Sequence, residues 1–263
     1  MKILLQTNSM CLDTEENIIS ELLYKVRYID YEKVSLEDLR NKEVYKQQDL
    51  VPIGTLEFVG EYLKNAYNIK KINPIEIPKY LRTDEFLKRD YKIVDWENIP
   101  KRGRHFIKDV SQLKAFGNIL DLDYLDITTW EDTKPSIDNL GFEAAVFNKE
   151  HLYQVSSEFN IQSEYRVYVL NHKIENICNY NGDCTIFPDI NLIQKAIALI
   201  EYHEKWLKSY TIDIMVGPEG TAIIEIHNFQ SVGLYSTLWG QGLLYAYRDG
   251  IDYNINDNKA ITI

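Results

Sequence analysis

Two kinds of hydrophobic spacing run along this chain, and they change over near Lys101. In the first part "KILLQ" reads as a strand, and apolar residues at helical spacing follow from about Glu16 to Tyr24. "DLVPIGTLEFVGEYLKNAY" then gives a short strand, a glycine turn and a second helix. This β-α-β-α alternation predicts a small α/β unit over residues 1–80, ending in the proline-bearing linker "INPIEIPKYL". Beyond Lys101 the spacing shortens to that of strands: "HFIKDV", "GFEAAVFN", "YQVSS", "SEYRVYVL" and "HKIENICNY". A single long helix is expected from Asp189 to Lys208, with Ile193, Ile197, Ile200 and Leu207 as its stripe and Asp189 as N-cap after Pro188. His203 lies beside that stripe and reads as a packing or surface residue. Strands with one helix inserted before a last hairpin predict an α+β architecture for residues 81–263.

That hairpin is "TIDIMVGPEGTAIIEIHN". A three-residue loop, Pro218-Glu219-Gly220, fits a type I turn closed by a glycine at positive φ. With that loop Gly217 faces Thr221, Met215 faces Ile223, Asp213 faces Glu225 and Thr211 faces His227. Ile212, Ile214, Val216, Ala222, Ile224 and Ile226 then form an apolar face on the other side. Two carboxylates so opposed have Cβ atoms roughly 4.5–5.5 Å apart and repel. Either the face is solvated and the charges are ordinary, or the pair needs a cation or a shared proton.

Composition narrows the setting. At 263 residues the chain can bury a substantial core, as one domain or two closely packed ones. The net charge of −11 opposes a large nucleic-acid footprint while leaving room for one local basic pocket. Cys11, Cys178 and Cys184 show no metal or redox spacing and read as reduced. The N-terminal apolar run is too brief for a signal peptide, and no run is long enough to span a bilayer. A soluble, cytoplasmic protein is the expectation.

Candidate chemistry sits on the later strands. In "HFIKDV" Phe106 and Lys108 point one way and His105 and Ile107 the other. Lys108 reads as an edge-strand lysine or as a point charge for phosphate. In "SEYRVYVL" Tyr165, Val167 and Val169 share one face, while Glu164, Arg166 and Tyr168 share the other as a polar wall or a surface salt bridge. No glycine-rich phosphate loop, GxSxG or HExxH is present.

A strand with lysine (FIKD), an acidic hinge (SSEF), an E-x-R strand (EYR) and a late "DIMVGPEGTAIIEIHNFQSVGLY" occur in this order. Together they resemble the ATP-grasp superfamily of ATP-dependent carboxylate–amine ligases, over roughly residues 80–240. The resemblance is to its bacterial and phage branch, and it implies an ATP-grasp fold preceded by a small α/β domain. It further implies Lys108 on the α- and β-phosphates, Lys114 and Gly117 in a loop over the phosphates, and Arg89 as an earlier phosphate contact. Glu158 would lie by the adenine amino group, Glu164 on the ribose hydroxyls, and Arg166 by the γ-phosphate or an acyl phosphate. Asp213 and Glu225 would hold Mg²⁺. The family's third metal-side residue is Asn; here His227 stands there, followed by Asn228. Imidazole suits Mn²⁺ or Zn²⁺ better than Mg²⁺, so the third ligand stays open: Asn228 after a small shift, a water, His227 with a changed metal preference, or none in a copy that has decayed. The implied partners are ATP and either small carboxylate and amine substrates or a peptide or protein. The implied reaction is ligation through an acyl phosphate. Its rivals are kinase-like phosphoryl transfer and a non-catalytic nucleotide-binding or partner-binding protein that keeps the fold.

Overall fold

The structure is a computed structural model and describes residues 1–7, 13–26, 28–111, 117–123, 148–230, 232–235 and 240–261. Three sheets organise them. The first is parallel, with β1 (Lys2–Gln6) between β2 (Asp30–Val34) and β3 (Leu50–Ile53). Helices α1 (Asp13–Lys25), α2 (Leu36–Asn41) and α3 (Leu56–Tyr67) belong to this unit. Central β1 is buried on both faces: Ile3 and Leu5 join one core while Leu4 joins another, as expected of a parallel strand covered on both sides. Pro52 is tolerated in β3 because that strand lies at the sheet's edge.

The short helix α4 (Asp84–Leu87) leads into the second sheet, which is antiparallel in the order β4-β7-β5-β6. Its strands are β4 (Tyr91–Asp95), β5 (Arg104–Asp109), β6 (Gly117–Asp121) and β7 (Leu152–Ser156). The third sheet runs β11-β10-β8-β9. It comprises β8 (Ser163–Leu170), β9 (Lys173–Gly182), β10 (Tyr210–Gly217) and β11 (Gly220–Asn228), with α5 (Ile190–His203) inserted before the hairpin. One face of this sheet packs on α5: Tyr165, Val167, Ile212, Ile214 and Ile226 share a core with Ile193, Ala196, Ile197 and Ile200.

The α5 N-cap is Asp189, whose carboxylate accepts from the Asn191 and Leu192 amides. The helix ends at His203 rather than Lys208. Leu207 still reaches the core, but from the turn beyond the helix. His203 stacks on Tyr80 with ring centroids 4.4 Å apart, a packing role. The last helix, α6 (Gly242–Ile261), folds back on the first sheet. There Leu243, Leu244 and Tyr247 join the core of Ile3 and Leu5, while Ile251 and Ile255 join that of Leu4.

The hairpin corrects one expectation. Gly217 pairs with Gly220 around a two-residue loop, Val216 with Thr221, Met215 with Ala222 and Ile214 with Ile223. The register then shifts by one, and Asp213 pairs with Glu225 and Thr211 with His227. A bulge at Ile224 therefore offsets the shorter turn. Ile223 takes the core position expected of Ile224, and Ile224 turns to the opposite face. Gly220 does hold positive φ, at 109°. Cys178 and Cys184 are free thiols. The expected strand "GFEAAVFN" except Asn148, together with Lys114 and Cys11, lies outside the described residues. Among those residues no helix is long and apolar enough to cross a membrane.

Candidate functional site

A cavity of about 310 Å³ opens between the second and third sheets. Its wall on the second sheet follows from the pleat. Gly117, Lys108 and Gln154 are register partners across β6, β5 and β7, and Phe106 pairs with Ser156 beside them. All five line the cavity. The opposite face carries Ile107, Leu120, Tyr153 and Val155 in a separate core. A Cβ at Gly117 would stand 3.3 Å from Lys108 Cγ and from Phe106 Cζ, so the bare glycine leaves the lysine stem its place. The third sheet contributes Met215, Ile224 and Glu225. Ile224 reaches the cavity only because of the bulge.

The chain passes from one sheet to the other through residues 157–162, and Ser157, Glu158, Phe159 and Ile161 line the cavity. This hinge seats on glycine. A Cβ at Gly217 would lie 2.1 Å from the Asn160 carbonyl oxygen, and one at Gly182, whose φ is 77°, would lie 2.3 Å from that of Gln162. The Gln162 amide also bonds the Val216 carbonyl at 2.9 Å.

Charge is concentrated where the sheets meet. Asp213, 2% exposed, receives a two-pronged bond from Arg166: Nε to Oδ1 at 2.8 Å and Nη2 to Oδ2 at 2.7 Å. Burial works against the guanidinium's charge, yet the bonds and charge of Asp213 raise its pKa above the ordinary value. Glu225 receives Lys108 Nζ on Oε2, across the cleft, and His227 Nε2 on Oε1 at 2.8 Å. Burial pushes this carboxyl up. The hydrogen bonds and attraction of His227 and Lys108 outweigh it and hold the group well below the usual carboxylate range. The repulsion implied by facing acids is thus answered by three of the protein's own cationic or donor side chains.

Arg89, just after α4, donates from Nη1 to the carbonyls of Leu87 (3.0 Å) and Ile223 (2.9 Å), bracing the chain beside the bulge. It lines the cavity, and burial pushes its pKa down to about 10. Glu158 pairs with Arg104 at the hinge. Glu164 accepts from Tyr180 Oη (2.9 Å) and Asn181 Nδ2 (2.6 Å), on the same face as Arg166 but outside the cavity lining. Tyr180 stacks on Tyr235 at 5.2 Å, and the Arg166 guanidinium lies 4.8 Å from the Tyr235 ring. Tyr235 is held there because the Tyr168 hydroxyl donates to the Gly233 carbonyl (2.7 Å) and accepts from the Tyr235 amide (3.0 Å).

Asp213, Glu225 and His227 each offer a ligand atom, and the three atoms lie within 4.8 Å of one another. The set fits one divalent ion with mixed oxygen and nitrogen ligation. Asn228 points to the other face of β11, where its Oδ1 accepts from the Gln230 amide at 3.2 Å.

Gln154, Met215, Tyr180 and Tyr235 were not singled out from the sequence. Strand alternation from Ser156 was the available signal for Gln154; nothing local marked the two tyrosines as neighbours.

A family model, "ATP-grasp domain, R2K clade family 2", matches residues 86–239, more than half of the chain. The chain belongs to this ATP-grasp family. One solved structure shares the fold. D-cycloserine synthetase DcsG aligns over 97% of this chain and 100% of its own, with a TM-score of 0.58 and 11% identity. D-alanine–D-alanine ligase from Bacillus anthracis aligns over 100% of both chains, with a TM-score of 0.47 and 12% identity. The first likeness is one of fold alone. No curated protein matches the sequence. The cavity between the second and third sheets thus lies within an ATP-grasp protein.

Proposed function

We propose that this ATP-grasp protein is an ATP-dependent ligase that activates a carboxylate as an acyl phosphate for attack by an amine, releasing ADP and phosphate. One observation carries the reading. Lys108 and Glu225, from different sheets, meet at the edge of a hinge-bounded cavity, with Arg89 lining it and the Asp213–Arg166 pair behind. Side chains suited to phosphate and carboxylates suited to a divalent ion, on two sides of one cleft, support the reading.

In this reading the purine lies between Phe106, Met215 and Ile224 near Glu158, and Glu164 takes the ribose hydroxyls in place of Tyr180 and Asn181. Lys108 leaves Glu225 for the α- and β-phosphates, joined by Arg89 and Lys114, while Gly117 lies in β6 beside the lysine stem rather than in the expected loop. Asp213, Glu225 and His227 hold the ion, which when bound neutralises phosphate charge. Arg166 faces the transferring phosphoryl group, flanked by Tyr180 and Tyr235. Catalysis is then positioning and charge neutralisation, with no side chain acting as nucleophile. The substrate is a small carboxylate and amine or a peptide.

His227, standing where the resemblance expects Asn, favours a second reading in which the nucleotide is bound without ligation. The separating experiment incubates the protein with ATP, divalent ion, hydroxylamine and a panel of amino acids and peptides. ADP release accompanied by a hydroxamate supports the ligase. ADP release with a stable phosphorylated product instead marks a kinase, and nucleotide binding without turnover marks the second reading.

A further inference from the structure

The cluster of Asp213, Glu225 and His227 departs from an all-oxygen site, and its surroundings show how. His227 Nε2 points at Glu225 Oε1 from 2.8 Å, so the imidazole nitrogen faces the position an ion between the carboxylates would take. The nearest amide oxygen in sequence cannot substitute, because Asn228 lies on the other face of β11 and is bonded to Gln230. A second observation stands apart from these acids. Thr211, directly across the ladder from His227 and on the same face as Asp213, is 0% exposed, and its hydroxyl has no hydrogen-bond partner. A buried hydroxyl left unsatisfied is costly, and a metal-bound water or the imidazole's second nitrogen would satisfy it.

We infer that this site is built for a transition ion of the Mn²⁺ class in preference to Mg²⁺, with His227 as a direct nitrogen ligand and Thr211 supporting it. This deepens the proposed function, since it concerns the ion held by the same two carboxylates. Magnesium demands near-ideal octahedral oxygen ligation and gives up water reluctantly. Manganese stands at the weak end of the first-row series that binds mixed nitrogen and oxygen sites, yet it is softer than magnesium and gains more from an imidazole beside carboxylates. The carboxylates alone do not distinguish the two ions; the imidazole does.

The test is pulsed electron paramagnetic resonance of Mn²⁺ on the full chain, alone and with a non-hydrolysable ATP analogue, together with competition by Mg²⁺. Histidine nitrogen coupling to Mn²⁺ is expected in the wild-type protein and lost in His227→Asn and His227→Gln. The preference for Mn²⁺ over Mg²⁺ should fall by at least about tenfold in both variants, since losing even an outer-shell partner typically costs a site that much. Thr211→Val should weaken Mn²⁺ binding while keeping the nitrogen coupling. Absence of the coupling in the wild type, or an unchanged preference in folded His227 variants, overturns the inference. Failure of the ATP analogue to bind while the coupling persists overturns the nucleotide reading and leaves the metal inference supported.

Discussion

The two faces of the third sheet are built from the same strands and solve opposite problems. Toward α5, Tyr165, Val167, Ile212, Ile214, Ile223 and Ile226 bury apolar surface that needs only to be filled. Toward the cleft, Arg166, Asp213, Glu225 and His227 are buried or half-buried, and each charge is stable there only because a specific partner reaches it. The first face tolerates any close-packed set of the right volume. The second is a chain of obligations running from β8 through β10 and β11 to Lys108 on another sheet. Side chains on that face are therefore expected to fail by losing partners, and those on the other by leaving cavities.

The comparison breaks most visibly at Arg166. Arg166→Met strands Asp213 as a buried, unpaired carboxylate and is expected to cost about 3–5 kcal/mol in urea unfolding. Adding Asp213→Asn should return part of that loss, a non-additivity that a surface pair would not show. Gly217→Ala comes next: its Cβ meets the Asn160 carbonyl at 2.1 Å, so the hinge must shift, at about 1–3 kcal/mol and with weakened nucleotide binding. On the apolar face Ile212→Val should cost about 0.5–1.5 kcal/mol and leave nucleotide binding unchanged. The smallest effect is titration of Glu225. Its folded pKa lies below the reference of 4.5, so its contribution to stability is fully present above that pH and is lost as pH falls through the folded value. Glu225→Gln should make the acid limb of the stability profile shallower.

Much of the site was legible because it lies on central strands. Lys108, Glu164, Arg166 and Asp213 sit in β5, β8 and β10, where alternation of buried faces fixes direction. The strands the pattern missed, β2, β4 and β6, are all at sheet edges. In β2 "DYEKV" only Val34 is buried, so no hydrophobic period forms. Helix α6 was hidden by Gly250 and by a run of Asn and Asp that favours helix weakly. The hairpin is the most instructive case. The facing of Asp213 and Glu225 was read from a loop one residue too long, and it held because the bulge at Ile224 restored the count. Sequence alternation cannot place a bulge when Ile223 and Ile224 are the same residue. The pairing of Lys108 with Glu225 joins two sheets, and no local spacing carries it.

In the proposed function the cleft binds ATP through a metal held by Asp213 and Glu225. Calorimetry of ATP binding with Mg²⁺, with Mn²⁺ and with neither ion, on the wild type and on Asp213→Asn/Glu225→Gln, tests it directly. Binding is expected to require a divalent ion and to be lost in the double variant while the fold persists. Binding that is indifferent to the ion, or is retained in full by the double variant, would contradict it.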